Sequence, residues 1–395
     1  MKRIPASTYL FASISLFIIG LGCKKDPAPT GSYPATAAQF GTRIDPNNLA
    51  NYANQGKPVY ITKDNTAGNT ITNAKATLGR VLFYDKQLSI DNSVSCGSCH
   101  IQKFAFGDTA LASLGVQGGL TGRHSMRLIN ARFSNEVKFF WDERAATLEQ
   151  QTTKPIQDHA EMGFSGLNGR PNLSALITKL GALGYYQELF KFVYGDQIIT
   201  ESRMQECLSQ FVRSIQSFDS KYDAGRAVAP DNQPFPNFTQ QENVGKGLFL
   251  APPQFGVNGV RINGGLGCGG CHAPPEFDID PNTGNNGIIG VLNGPGIDVN
   301  NTRAPSLRNL AGPDGNPNGP MMHTGGIRTL QAAIGHYGNI NLAPGNTRLD
   351  PRLRPNGVGQ QLNLNQTEVA AVIAFMKTLT GTAVYTDERW SDPFR

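Results

Sequence analysis

Apolar residues recur at intervals of three and four in several parts of the chain, which is the spacing of one face of an α-helix. The clearest examples lie at 78–83, 204–215, 244–249 and 369–379. The last of these follows the sequence Asn-Gln-Thr-Glu at 365–368, a pattern typical of a helix start with a reciprocal cap. No segment alternates apolar and polar residues strongly enough to predict a strand. The pattern therefore predicts a mainly α fold.

Two of these predicted helices share a sequence pattern. The segments 78–83 and 244–249, Leu-Gly-Arg-Val-Leu-Phe and Val-Gly-Lys-Gly-Leu-Phe, both place apolar residues around a Gly-basic pair, which indicates an internal duplication. A chain of 395 residues is also too long for one small core. We therefore predict two domains, 46–235 and 236–395, divided near the Pro-rich stretch 229–238. The 45 Gly and 25 Pro predict long irregular loops.

The first residues predict an export signal. A basic pair at 2–3 precedes an apolar stretch, 9–19, that is too short to span a membrane. Cys23 then follows small residues, as at the cleavage site of a bacterial lipoprotein. We predict a lipoprotein-type signal peptide at 1–22, followed by a lipidated Cys23 and a flexible tether over 23–45. The protein would then be a periplasmic protein held to a bacterial membrane by lipid alone.

The net charge of the chain excludes few classes of function. The formal charge is +5, and charged residues make up 16% of the chain. Two of the positive charges lie in the predicted signal peptide, so the mature chain would be only mildly basic. Such a balance does not predict nucleic-acid binding, and we expect no nucleic acid among the partners.

The most specific motif in the chain is Cys-x-x-Cys-His, which occurs twice. Two thiols three positions apart lie on the same side of a tight helical turn, so both can bond to the vinyl groups of one porphyrin. The His that follows supplies an axial nitrogen to the iron. The motifs therefore predict two covalent c-type haems. Their residues are Cys96, Cys99 and His100 in the first motif and Cys268, Cys271 and His272 in the second.

Other interpretations of the two motifs explain less. The four motif thiols could form a zinc site, but the adjacent histidines would then have no role, and the two pairs lie far apart in the sequence. Redox dithiols usually occur in a thioredoxin-like βαβ setting, which the pattern does not predict. Haem attachment takes place outside the cytoplasm, in agreement with the export signal. The remaining thiol, Cys207, falls on the apolar face of its helix and is predicted to be buried.

Further segments accompany the two motifs, and with them the chain resembles the bacterial di-haem cytochrome c peroxidase and MauG family from about Leu78 to Gly381. The resemblance implies two cytochrome c-like domains with one haem each, peroxidatic in 46–235 and electron-transferring in 236–395. The segments that carry it are Leu-Gly-Arg-Val-Leu-Phe at 78–83, Phe-Trp-Asp-Glu-Arg at 140–144, Glu-Met at 161–162, Pro-Ser-Leu-Arg-Asn at 305–309 and Pro-Met-Met-His-Thr-Gly at 320–325.

The resemblance also implies roles for residues around the first haem. Trp141 corresponds to a tryptophan that lies between the haems and relays electrons. Gln151, Pro155 and Glu161 correspond to the distal pocket of the peroxide-reducing haem, with Glu161 as its acid-base residue. A buried carboxyl group with a raised pKa can move a proton between the two peroxide oxygens. Val116 stands where many relatives have a capping His, which predicts a first haem that is open without reductive activation, as in MauG.

The second haem needs a ligand on the side opposite His272. The aligned position, fourteen residues after His323, is Tyr337, which is our first choice. Met322 is the sulfur alternative and His336 the imidazole alternative. The choice matters because a thioether ligand raises the reduction potential, whereas a phenolate should stabilise ferric and higher-valent iron.

The predicted activity is reduction of hydrogen peroxide to water. Electrons would come from a small cytochrome c or a cupredoxin, enter at the second haem and pass through Trp141. One alternative is a MauG-like oxidase that uses a peroxide-derived high-valent haem on a protein or organic substrate. Another is a non-catalytic di-haem electron carrier. A homodimer and a calcium ion between the domains are open expectations, and His124 weakens the second because it replaces an Asn that contributes to the calcium site in relatives.

Overall fold

The computed structural model describes residues 31–135, 138–279 and 281–395. Over these ranges the chain is mainly helical, which confirms the predicted α character. The α-helices are α1 (Pro34–Phe40), α2 (Asn73–Tyr84), α3 (Cys96–Cys99), α4 (Leu148–Gln157), α5 (Leu173–Gly181), α6 (Gly184–Tyr194), α7 (Glu201–Ser214), α8 (Lys221–Arg226), α9 (Gln240–Leu250), α10 (Leu330–Gly338) and α11 (Gln366–Lys377).

Two short antiparallel hairpins lie in the second half of the chain. The first pairs β1 (Pro253–Phe255) with β2 (Arg261–Gly264), and the second pairs β3 (His272–Ala273) with β4 (Asp278–Ile279). The sequence did not predict them, because strands of two to four residues are too short to show an alternating pattern. Long loops and short 3₁₀ turns connect the helices, as the Gly and Pro content indicated.

Polar side chains start the long helices. Thr72, Thr147 and Thr200 each accept a hydrogen bond from a backbone N–H in the first turn of α2, α4 and α7. The reciprocal cap predicted at the start of α11 is confirmed. Asn365 Oδ1 accepts from Glu368 N at 2.9 Å, and Glu368 Oε2 accepts from Asn365 N at 3.3 Å.

The first hydrophobic core is built around helices α2 and α7. Gly79 of α2 lies directly against the backbone of α7, where a Cβ atom would overlap the carbonyl oxygen of Cys207. Glycine is therefore required for the close approach of the two helices. Cys207 itself is fully buried, which confirms the prediction of a structural thiol.

The second core repeats this arrangement with α9 and α11. Gly245 of α9 packs against the backbone of α11, and a Cβ atom there would overlap the carbonyl oxygen of Ala371. Gly79 and Gly245 occupy the same position in the duplicated hexapeptides. Each half of the molecule thus pairs its motif-leading helix with a later helix through one glycine, as expected for an internal duplication.

The boundary between the two cores differs from the predicted one. Ile215 is the last residue of this region in the first core, and Tyr222 already belongs to the second. Phe235 and Phe238, in the Pro-rich stretch that we expected to separate the domains, are buried in the second core. The aromatic residues of this stretch are therefore packed in a core, and the two cores meet between residues 215 and 222.

The C-terminal end of the chain also departs from the predicted division. Val384 and Trp390 belong to the first core, although both lie within the range 236–395. The Tyr84 hydroxyl donates to Trp390 O at 2.6 Å, and Arg80 Nε donates to Ser391 O at 2.7 Å. The last residues therefore return from the second half of the molecule and close over α2 of the first.

Regular structure begins nearer the N-terminus than we expected, at Pro34. The signal peptide 1–22 and Cys23 lie outside the described residues. Helix α1 contains buried Thr36 and Phe40, and the side chain of Glu188 in α6 accepts from Thr36 N at 2.8 Å. Within the predicted tether 23–45, the part from the start of α1 is therefore packed against α6, whereas residues 23–30 lie outside the described residues.

Candidate active site

The first Cys-x-x-Cys-His motif forms the one-turn helix α3 and the residue after it. His100 Nδ1 lies 3.2 Å from Phe106 O and 3.2 Å from Ser125 Oγ. Phe106 adopts a left-handed backbone conformation (φ 58°), which turns its carbonyl group back toward the imidazole. With Nδ1 held in this way, His100 has Nε2 free to act as a metal ligand.

The second motif is arranged in the same way. His272 Nδ1 lies 3.3 Å from Phe277 O, and Phe277 is again left-handed (φ 54°). Burial lowers the pKa of His100 and lowers that of His272 to about 4. Both imidazoles are therefore neutral near pH 7, which is the form that binds a metal.

The two motifs line two separate cavities. Cys96 and Cys99 face the first, and Cys268 and Cys271 face the second. Among the described residues no three His, Cys, Asp or Glu side chains converge on one point. The four thiols are therefore not arranged as a zinc cage, and each Cys pair remains next to its own histidine.

The first cavity brings together the distal residues that the sequence predicted. Gln151 and Pro155 of α4 and Glu161 from the following turn line it opposite the motif. The enclosed space is about 70 Å³. This is far below the roughly 300–1,000 Å³ of ordinary cofactor sites. The wall at Leu114 is open to solvent, with 62% of that residue exposed. Cys96, Cys99 and His100, which all line this cavity, are the groups that would hold a covalent haem.

A tight loop sets the position of Glu161. Asp158 Oδ1 accepts from Glu161 N at 3.0 Å at the end of α4, and Val116 N donates to Glu161 O at 3.0 Å. Gly115 and Gly119 pack so closely on this turn that a Cβ atom on either would overlap the carbonyl oxygen of Ala160. Backbone contacts therefore fix the carboxyl-bearing residue from both sides.

Glu161 is electrostatically unusual for a carboxyl group. Burial raises its pKa to about 7, the negative charge of Asp158 adds to the rise, and Arg144 opposes it. No described residue hydrogen-bonds to its carboxyl oxygens. The group can therefore gain or lose a proton near neutral pH, which is the range in which a general acid-base residue works best.

Val116 stands at the position where the resemblance predicted the loss of a capping histidine. Val116 is buried and does not line the first cavity, whereas its neighbours Leu114 and Gly115 do. Of the described histidines, His100 alone lines this cavity. The geometry therefore offers no second imidazole to the first site.

The second cavity encloses about 650 Å³, a size typical of cofactor sites, which range over roughly 300–1,000 Å³. Tyr337 and Met322, the two preferred ligand candidates, both line it. His336 does not, and its Nε2 lies 2.8 Å from Asn286 O. The structure thus places His336 outside the second cavity, whereas Tyr337 and Met322 line it.

Trp141 lines the second cavity rather than the first. Its indole Nε1 donates to His124 O at 2.7 Å, and its ring lies 6.3 Å from the ring of His323. The next residue along from His124 is Ser125, which donates to Cys99 O at 2.9 Å beside the first motif. The segment that holds Trp141 thus also contacts the first site.

Arg127 is a half-buried residue with a buried Nε, and the sequence did not single it out. It lines the second cavity, its Nη2 donates to Ser306 O at 3.0 Å, and its Nε has no hydrogen-bond partner among the described residues. A buried guanidinium with a free N–H suits a carboxylate, such as a porphyrin propionate. The second cavity therefore fits a haem by its volume, its Cys and His donors and its unsatisfied cation.

Arg127, Ser125 and Asn286 gave no signal in the sequence. Each acts through contacts with residues far away in the chain, and none lies in a recognisable motif. The described residues contain no group of three His, Cys, Asp or Glu side chains placed to hold a metal ion, and calcium between the domains stays an expectation from the sequence. Across the same ranges, no helix is both long enough and apolar enough to cross a bilayer.

Two cavities that each combine a Cys-x-x-Cys-His wall with a candidate distal side chain have the residues expected of a protein with two c-type haems. Residues 73–229 match the family model of di-haem cytochrome c peroxidase. Together with the relatives described below, this match confirms the predicted resemblance of the chain to the di-haem cytochrome c peroxidase and MauG family. The predicted class, an oxidoreductase of the cytochrome c peroxidase type, is thereby confirmed.

Named relatives come from both branches of the prediction. The methylamine utilization protein MauG of Methylophilus methylotrophus is 28% identical over 324 residues, 80% of this chain and 85% of that protein. Cytochrome c551 peroxidase of Nitrosomonas europaea is 28% identical over 309 residues, 78% of this chain and 80% of that protein. The crystal structure of a MauG-like protein associated with microbial copper homeostasis superposes with a TM-score of 0.66 at 27% identity, over 87% of this chain and 99% of that one.

Proposed function

We propose that this protein reduces hydrogen peroxide to water at the cavity beside His100, using electrons that an external redox protein delivers through the cavity beside His272. The observation that carries the proposal is the convergence of Gln151, Pro155 and Glu161 on the cavity of the first motif. The reaction consumes two electrons and two protons for each peroxide and releases two waters.

A haem bound by Cys96, Cys99 and His100 would supply an iron that binds peroxide and provides the electrons for O–O cleavage. The side chains above it handle the protons. The Glu161 carboxylate takes a proton from one peroxide oxygen and returns it to the other, which leaves as water. The Gln151 amide donates a hydrogen bond to the peroxide oxygens.

Pro155 contributes through what it lacks. It stands inside α4, four residues after Gln151, and has no N–H to donate to the Gln151 carbonyl group. The helix therefore ends soon afterwards, at Gln157, and the chain turns toward Glu161. In this way one proline supports the placement of both polar groups over the same cavity.

The local environment of Glu161 supports its role as a proton carrier. With a pKa raised by burial to about 7, the carboxyl group is divided between its two forms at neutral pH. The absence of hydrogen bonds from other described side chains leaves its oxygens available to a substrate. A solvated surface carboxylate would meet neither condition.

A continuous set of contacts supports an electron path between the two sites. It runs from the second cavity through the Trp141 indole to His124 O, then along the chain to Ser125, whose Oγ lies 3.2 Å from His100 Nδ1. We propose that this segment couples the two centres.

The MauG-like alternative is favoured by one observation. Because Val116 replaces a capping His and is buried, the first site needs no reductive step to open.

Rapid addition of peroxide to the fully oxidised protein distinguishes the candidates. A fast reaction without prior reduction would support oxidation of a protein or organic substrate, and turnover only after half-reduction would support the peroxidase. Inertness in both states would leave an electron carrier.

The central experiment compares peroxide consumption by the holoprotein and by its Glu161→Gln variant. Loss of an acid-base group costs about 10²–10⁴-fold in rate, and we expect a decrease in this range. Glu388→Gln is the matched control, since that carboxylate is exposed and remote from both cavities. A Glu161→Gln variant as active as the control would refute the proposal.

We further propose a periplasmic location and a lipid anchor at Cys23, as the N-terminal sequence predicts. The electron donor would be a small cytochrome c or a cupredoxin. Metabolic labelling with a radioactive fatty acid tests the anchor. Label should enter the wild-type protein, and Cys23→Ser should abolish it.

A further inference from the structure

The second cavity holds two side chains that could each complete the coordination of iron with His272. Tyr337 offers an oxygen and Met322 a sulfur, and one amide contacts both. Asn286 Nδ2 donates to Met322 Sδ at 3.1 Å and to Tyr337 OH at 3.3 Å. The two N–H bonds of this amide are therefore directed at the two competing ligand atoms.

The orientation of the Asn286 amide is fixed by its neighbours. Its Oδ1 accepts from Ile288 N at 3.1 Å, which leaves Nδ2 facing the ligand pair. Its backbone carbonyl contacts His336 Nε2 at 2.8 Å, and His336 is adjacent to Tyr337 on α10. Asn286 is thus held on one side by its own turn and on the other by the helix that carries Tyr337.

The hydrogen bond from Asn286 stabilises the two candidate ligand atoms to different extents. A thioether sulfur is a weak acceptor, whereas an oxygen that gains negative charge forms a stronger, charge-assisted hydrogen bond. Met322 also adopts a left-handed backbone conformation (φ 69°), an unfavourable state for a residue with a side chain. The Tyr337 carbonyl, by contrast, is anchored by Gln360 Nε2 at 2.7 Å.

We infer that Asn286 is a positioning residue that selects the second axial ligand, favouring the Tyr337 oxygen over the Met322 sulfur. The inference rests on the proposed function of the His272 site as the electron-transfer centre. It extends that proposal to the control of the site, because the ligand atom sets the reduction potential. Without the amide donor, ligation by the Met322 sulfur becomes more favourable relative to ligation by the Tyr337 oxygen. The reduction potential of the second haem then rises.

Asn286→Asp is the sharpest test. The carboxylate keeps an oxygen to accept from Ile288 N and removes the N–H donor. Asn258→Asp is the matched control, since exposed Asn258 Oδ1 also accepts from the N–H two residues on, at Val260, with no ligand candidate nearby. Oxidised holoprotein is examined by electron paramagnetic resonance and near-infrared absorption, and the second haem is titrated for its potential.

Wild-type protein and the Asn258→Asp control should show an oxygen-ligated low-spin haem. Asn286→Asp should lower the ratio of oxygen-ligated to sulfur-ligated haem by about tenfold or more, as expected for loss of a hydrogen bond to a charged group. The sulfur-to-iron band should then increase, and the potential should rise. If the aspartate variant fails to load haem, Asn286→Ala makes the same prediction.

Adding Met322→Leu to Asn286→Asp should abolish the sulfur band, which identifies its source. A wild-type site already ligated by sulfur would overturn the inference, and so would an unchanged spectrum and potential in Asn286→Asp. No peroxide is used, so the outcome is separate from the proposed function. An inert wild-type protein with a ligand switch would refute only the activity, and an active protein with no switch would refute only the role of Asn286.

Discussion

His100 and His272 belong to identical motifs, but the other side chains that line their two cavities differ in chemistry. His100 and His272 are held alike, each through Nδ1 and the carbonyl of a left-handed phenylalanine. Across the first cavity lie an amide and a carboxyl group, and across the second a phenol and a thioether. The proposed division between a reactive site and an electron site depends on these opposing residues.

The first prediction concerns the pH dependence of peroxide reduction. Glu161 acts as a base in its ionised form, and its pKa is raised to about 7. The rate should therefore rise with pH through about 7, because the active form exists above the pKa. Initial rates of peroxide loss over a pH series measure this, and the rise should disappear in Glu161→Gln. A wild-type profile that is flat across this range would contradict the role of Glu161.

The raised pKa of Glu161 also makes the free energy of unfolding depend on pH. Stability should fall as the pH rises, whereas the rate should increase. The folded protein keeps the proton on Glu161 at pH values where the unfolded chain has lost it. Unfolding free energy should therefore decrease as pH rises from the ordinary carboxyl range through about 7. Denaturant unfolding of wild type and Glu161→Gln across this window should show a smaller decrease in the variant. Parallel curves for the two proteins would contradict the burial of this group.

A second prediction concerns the ligand of the second haem. Tyr337→Phe removes the phenol oxygen and should change the low-spin spectrum of the oxidised holoprotein, because the ligand atom is lost. Met322→Leu should leave the wild-type spectrum unchanged. If Met322→Leu alters the spectrum and Tyr337→Phe does not, the sulfur is the ligand.

The sequence predicted the residues of the first cavity and missed those that position them. Gln151, Pro155 and Glu161 belong to a familiar spacing, and all three do line one cavity with His100. Asn286 forms its important contacts with Met322 and Tyr337, 36 and 51 residues away in the chain. Contacts at such separations depend on the folded loops and carry no local pattern.

At the scale of elements, the duplicated helices are the part of the fold that the sequence predicted best. Helices α2 and α9 share the Gly-basic pattern, and each meets its partner helix through that glycine. The hairpins β1–β2 and β3–β4 were missed because they are too short to show alternation. The folding of α1 was missed because its composition is that of a tether, and burial against α6 overrides it.

The glycine contacts give a third prediction. Gly79→Ala and Gly245→Ala each place a Cβ atom on the backbone of the partner helix, with no flexible side chain to move aside. Each should destabilise the protein by about 1–3 kcal/mol, as overpacking does. Gly247→Ala, in the same helix as Gly245 but with nothing within 4 Å, is the control and should be neutral or slightly stabilising. Denaturant unfolding measures all three, and equal stabilities would contradict the close helix contact.

At the scale of the whole molecule, the two halves are held together both by the return of the C-terminal segment and by hydrogen bonds between side chains and residues of the other half. The C-terminal residues leave the second core and bury Val384 and Trp390 in the first. In addition, Arg123 Nε of the first half donates to Asp298 Oδ2 of the second at 2.6 Å, and Arg127 Nη2 donates to Ser306 O at 3.0 Å. Sequence alone could not predict this return, because a boundary read from composition assumes that each domain is one continuous segment.

The return of the C-terminus gives a fourth prediction. Trp390 is 2% exposed and packs in the core that contains the first motif helix. Trp390→Ala should lower the unfolding free energy by about 3–5 kcal/mol, as large-to-small core substitutions do. Val257→Ala, at a residue that is 93% exposed, should have little effect. Local unfolding around the first haem, followed by proteolysis or hydrogen exchange, should increase in the Trp390 variant. If the increase is confined to the second half of the chain, the tail does not stabilise the first half.

The central claim is that two equivalent motifs build one open site and one closed site. Electron paramagnetic resonance of the fully oxidised holoprotein tests it most directly, because haem spin state reports whether a strong sixth ligand is present. The expected spectrum contains one high-spin haem, at the His100 site, where no second described histidine lines the cavity, and one low-spin haem, at the His272 site. Two low-spin, six-coordinate haems would contradict the account.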